Sequence, residues 1–109
     1  MEEGRIVIVC YKPFAGREDD LDLLMKEHAA ILRNEGLVTD RESILMRADN
    51  GTVVEVFEWK SKVALAGAHT NSVVQKMWAD YSKVCEYVPI GSLPEATELF
   101  SSFTPFGIR

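Results

Sequence analysis

A chain of 109 residues is read as a single domain spanning 1–109, because domains take about 100–200 residues each. With 47% hydrophobic and 27% charged residues the composition is that of an ordinary globule, which excludes disordered and collagen-like chains. Twelve Lys and Arg against seventeen Asp and Glu leave a net charge of −5, and the basic residues are scattered singly, so nucleic acid is excluded as a partner.

No apolar run approaches the roughly 20 residues that a membrane-spanning helix needs, and Met1-Glu2-Glu3-Gly4-Arg5 lacks the basic and apolar regions of a signal peptide. The expected location is cytoplasmic, with no membrane partner. Cys10 and Cys85 are then reduced, and neither stands in a CxxC or a Cys/His cluster, so both are expected as small core residues.

The run Arg5–Tyr11 is rich in β-branched residues and apolar on both faces, which predicts a strand in the middle of a sheet, closed by Lys12-Pro13 and Gly16. From Arg17 to about Glu35, Leu21, Leu24, Met25, His28, Ile31 and Leu32 recur at three- and four-residue steps. That spacing predicts an amphipathic helix with an acidic first turn, ended by Gly36 in a left-handed cap. Asp49-Asn50-Gly51 between two β-rich segments, Leu37–Ala48 and Thr52–Lys60, predicts a hairpin. A two-residue Asn50-Gly51 turn sets Arg47 opposite Val54 and Leu45 opposite Val56, with Glu55, Phe57 and Trp59 on one face of the second strand.

Ser61 is a candidate cap for a short helix over 63–68, ending near His69. Thr70 or Asn71 opens a longer helix with Val74, Met77, Trp78, Tyr81, Val84, Cys85 and Val88 as its apolar stripe, stopped by Pro89 and Gly91. A last strand is expected over about 97–103, although Leu99-Phe100 could also extend a helix. The order strand, helix, strand, strand, helix pair, strand predicts an α+β, ferredoxin-like β-α-β-β-α-β fold, a four-stranded antiparallel sheet with helices on one face. Apolar side chains also line the opposite face, and a second copy of the chain is the expected cover, so a homodimer is predicted.

The segments Glu55-Val56-Phe57-Glu58-Trp59-Lys60-Ser61, Ala68-His69-Thr70-Asn71-Ser72-Val73-Val74 with Trp78, and Leu93-Pro94-Glu95 through Phe103-Thr104-Pro105-Phe106 carry a resemblance. In these the chain resembles the dimeric α+β barrel proteins related to antibiotic biosynthesis monooxygenases. The resemblance covers nearly the whole chain and implies a ligand cavity between sheet and helices. The superfamily also holds heme-degrading enzymes, isomerases and proteins of unassigned activity, so fold alone does not choose the chemistry.

What it implies here is a cofactor-independent monooxygenase acting on a small aromatic or conjugated metabolite. His28 and His69 are the candidate base and hydrogen-bond donor, and Glu58 is the candidate orienting carboxylate. Tyr11, Trp59, Trp78 and Tyr81 are the candidate substrate-binding residues. Each has a plainer alternative: a satisfied core histidine for His28, a helix-end residue for His69, a cross-strand partner of Arg41 or Lys60 for Glu58, and core packing for the aromatics. No metal or other cofactor is expected. The histidines and Glu58 share no HExxH-type spacing, and Trp78 stands where heme-degrading relatives place their iron ligand. The alternative function is a non-catalytic dimeric protein that binds a small molecule.

Overall fold

Alternation along β1 (Arg5–Pro13) sends Val7, Val9 and Tyr11 to one side and Ile6, Ile8 and Cys10 to the other, and this pleat organises the computed structural model, which describes residues 3–107. The fold is α+β. Helix α1 (Glu18–Asn34) carries Glu18, Asp19 and Asp20 in its first turn, buries Leu21, Met25, His28 and Leu32, and ends in a Schellman turn. There Gly36, at φ 71°, lets its own N–H reach Arg33 and the Leu37 N–H reach Leu32.

Strands β2 (Ile44–Arg47) and β3 (Val53–Trp59) form the expected hairpin with a register one residue away from the expected one. Arg47 lies opposite Val53 and Leu45 opposite Glu55. The turn holds three residues rather than two. The Gly51 N–H bonds the Ala48 carbonyl, Gly51 sits at φ 91°, and Ala48 and Thr52 close the ladder, the form of hairpin in which a turn is followed by a left-handed glycine. Asn50 adds a side-chain bond from the Thr52 N–H, which favours this longer turn.

Helices α2 (Lys62–Ala68) and α3 (Ser72–Ser82) are capped by Ser61 and Asn71, whose side chains accept the N–H groups of Ala64 and Val74. Helix α3 ends earlier than the sequence suggests. Val84, Cys85 and Val88 leave the helical stripe, and β4 (Cys85–Val88) is an edge strand paired with β1, Tyr87 opposite Tyr11. The apolar residues there fit a period of two as well as 3.6, and the open edge of β1 decides in favour of pairing. No strand covers 97–103 either. Two 3-10 turns, Ile90–Ser92 and Pro94–Thr97, lead to β5 (Thr104–Pro105), two residues paired with β2.

The sheet is therefore five-stranded and antiparallel, in the order β4-β1-β3-β2-β5, in place of the expected four strands. One face packs on the helices through Tyr11, Leu21, Met25, Phe57, Trp59 and Tyr81. On the other, the C-terminal segment lays Leu93, Ile90 and Phe103 over Cys10, Ala48 and Val54 and covers only part of the surface. Ile6, Ile8 and Ile44 stay exposed there.

Candidate functional site

Residues 53, 55, 57 and 59 of β3 face the helices, and three of them are the apolar residues such a position calls for. The fourth is Glu55, a carboxylate only 1% exposed. Moving a carboxylate out of water costs several kcal/mol unless donors replace the water. Two donors come from other elements. The phenol of Tyr11, on the neighbouring strand β1, donates to Oε1 at 2.8 Å. His28, from the buried stripe of α1, sets its Nδ1 3.0 Å from Oε1 and 3.2 Å from Oε2.

Packing fixes the imidazole from three sides. Its ring meets Phe57 edge-on at 5.5 Å, Tyr81 at 5.7 Å and Tyr11 at 6.1 Å. With Nδ1 donating to a carboxylate, Nε2 is left as an acceptor, and it has no hydrogen-bond partner among the described residues. His28 lines a cavity of about 350 Å³ between sheet and helices. Val7 and Val9 of β1 and Phe57 and Trp59 of β3 form its sheet wall. Leu65 of α2, Trp78 of α3 and Tyr87 of β4 complete it and are partly exposed. Burial, and then the charge of Glu55, push the Tyr11 phenol well above its ordinary range, so it remains a protonated donor at neutral pH. Burial likewise raises Tyr87, and it pushes the Cys85 thiol up to about 11, which leaves that cysteine a packing residue.

The expected site residues separate into two groups. Tyr11, His28, Trp59 and Trp78 share the cavity. Tyr81 stands behind it, buried, its hydroxyl 3.4 Å from the sulfur of Met25 and its ring against Tyr11 and His28. His69 caps the end of α2, exposed, with its ring 5.3 Å from that of Trp78 and its carbonyl accepting from Gln75. Glu58 lies on the opposite face of the sheet. There it accepts from Arg41 at 3.0 Å and Thr39 at 2.9 Å, and these bonds, Arg41 first, hold its carboxyl below the usual range. His28, His69 and Glu58 are thus not brought together.

Sequence reasoning passed over Glu55 and Tyr87. The signal for Glu55 was present: period-two alternation puts it in line with Phe57 and Trp59, a lone carboxylate on an aromatic face. Tyr87 was hidden by the helical reading of its segment. Among the described residues, no three His, Cys, Asp or Glu side chains converge as metal ligands, and no helix is long and apolar enough to cross a membrane.

What fold and site define together is a small α+β protein with an apolar cavity served by one carboxylate-backed histidine. Compared with known proteins, the chain matches no family model, no curated protein and no solved structure.

Proposed function

We propose that the chain is an enzyme that removes a proton from a small aromatic or conjugated metabolite, in the manner of the cofactor-independent monooxygenases its sequence resembles. One observation carries this reading: His28 lines an aromatic-walled cavity while its Nδ1 is engaged by Glu55, which leaves Nε2 as the ring nitrogen open to a substrate. Such a nitrogen can take a phenolic or similarly acidic proton, and the Glu55 carboxylate balances the imidazolium that results. The substrate anion is then the electron source for oxygen. In this reading Glu55 rather than Glu58 is the carboxylate behind the base, and His69, stacked on Trp78, acts at most on the shape of the cavity wall. The strand order β4-β1-β3-β2 supports the ferredoxin-like arrangement, with β5 as an addition at the edge.

A homodimer belongs to the same reading. Ile8, Val56 and Ile44 form one cross-strand row on the sheet face that no helix covers, and Ile8 and Ile44 are 52% and 59% exposed. A second copy with the same row would bury it by two-fold symmetry.

The aromatic lining also favours a second reading, a carrier that binds without chemistry. Oxygen uptake with a panel of phenols, hydroquinones and hydroxynaphthalenes separates the two. For an enzyme, His28→Gln lowers turnover about 10²-fold or more, while quenching of Trp59 and Trp78 fluorescence reports binding within a few-fold of the parent. Binding with no turnover by the parent protein across the panel establishes the carrier instead.

A further inference from the structure

Glu55 has two carboxylate oxygens but shares them unevenly. Tyr11 and His28 both approach Oε1, at 2.8 and 3.0 Å, and the second His28 distance, to Oε2, is 3.2 Å. Among the described residues no lysine or arginine pairs with Glu55, so these two donors alone offset a charge buried at 1% exposure. They compete for the same electron density. Whatever negative charge the phenol draws to itself is withdrawn from the imidazole, and the phenol cannot leave, because Tyr11 is itself 1% exposed and fixed by β1 between β3 and β4.

We propose that Tyr11 is a positioning residue for His28, acting through Glu55: its hydroxyl holds the carboxylate in place and sets how strongly that carboxylate supports a protonated imidazole. The inference rests on the reading of His28 as the base, but it concerns the chain without substrate. The groups facing the pair are few. Tyr11 comes from β1, Glu55 from β3 and Tyr81 from α3, with Tyr87 of β4 behind Tyr11 at 5.4 Å. Tyr81 donates to Met25 rather than to Glu55, so Tyr11 is the one phenol bonded to the carboxylate.

The physical consequence has a sign. A hydrogen bond draws on the charge of the carboxylate that accepts it, and removing one of two such bonds concentrates that charge on the remaining donor. Protonated His28 is then favoured, and its titration midpoint rises. A phenol that donates more strongly does the reverse.

The test is an NMR titration of the His28 imidazole in the full-length, ligand-free protein, following both ring nitrogens. In Tyr11→Phe the midpoint is expected to move up by about one unit, with the Nδ1–H tautomer retained. Incorporating 3-fluorotyrosine at position 11, which makes the phenol more acidic and barely changes its size, moves the midpoint down. Glu55→Gln lowers the midpoint and abolishes the response to fluorination. Opposite shifts from the two Tyr11 replacements exclude a merely structural role, since packing changes have no reason to follow phenol acidity. If Tyr11→Phe does not fold, the fluorotyrosine protein alone decides, because an unmoved or raised midpoint overturns the proposal. An unchanged midpoint in a folded Tyr11→Phe overturns it equally. Turnover that survives His28→Gln would instead defeat the proposed function while leaving this coupling standing.

Discussion

Three positions separate Glu55 from Glu58 on β3, and the pleat sends them to opposite faces of the sheet. Glu58 meets an arginine whose side chain is 62% exposed, in a geometry that water can replace at little cost. Glu55 meets a histidine and a tyrosine, both buried, so losing either leaves a buried charge with one donor fewer. Strand alternation already separates the two glutamates, Glu55 falling in line with Phe57 and Trp59, and the pair with a full counter-charge is the one on the surface. The pair with the weaker formal charge balance is the one that shapes the interior. A buried carboxylate that a valine could replace for packing points to chemistry, whereas an exposed arginine pair needs no explanation beyond solubility.

The largest expected effect breaks this comparison or confirms it. Glu55→Leu keeps the volume of the side chain but leaves the Tyr11 hydroxyl and the His28 Nδ1 buried without an acceptor, and it should cost about 3 kcal/mol in urea unfolding. Replacing all three, with Tyr11→Phe and His28→Leu added, should recover most of that loss, because an apolar cluster of similar volume has no unmet donors. If Glu58→Leu destabilises as much as Glu55→Leu, the distinction between the two faces is wrong.

How much of this could be read in advance follows from which rule each element obeys. β1, α1 and the hairpin have one dominant period each, and their ends carry Pro13, Gly36 and Gly51, so pattern and punctuation agree. The segment from Val84 to Val88 satisfies two periods at once, and only the unpaired edge of β1 settles it. Residues 97–103 alternate like a strand, but the edges of β1 and β2 are taken by β4 and β5, and Phe103 packs on the far face instead. At the site, the helical stripe marks His28 and strand parity marks Tyr11. That they meet on Glu55 depends on where α1 crosses the sheet, which no local pattern encodes. The one-residue difference in hairpin register leaves β3's own parity intact, so Glu55 stays on the aromatic face, and the orienting carboxylate is Glu55 in place of the expected Glu58.

A smaller effect tests the far face as a whole. Its covered half owes its burial to Leu93 and Phe103 from the same chain, while Ile8 and Ile44, in one row with Val56, stay exposed among the described residues. Ile8→Asp should convert a dimer into a folded 12.2-kDa monomer in light scattering and leave the unfolding midpoint of the separated chain little changed. A parent protein that is already monomeric at micromolar concentration removes the dimer from the proposal and makes the isoleucine row an ordinary exposed patch.

The smallest effect belongs to Glu58, and its sign follows from its hydrogen bonds. Arg41 and Thr39 donate to the carboxylate, so the folded chain holds its pKa below the ordinary value of 4.5, and the ionised form is the one that the fold prefers. Stability from this source is fully present above about 4.5 and is lost as the pH falls through the lowered folded value. The difference in stability between the parent and Glu58→Gln should therefore be constant from neutral pH down to that range and shrink below it. Salt should shrink the same difference at pH 7, because the arginine is exposed and its attraction is screened. Other carboxylates also titrate in this window, but they are common to both proteins and cancel in the difference. A gap that keeps its size from pH 7 to pH 2, in low salt and high, would mean that Glu58 contributes through packing against its neighbours and not through its charge.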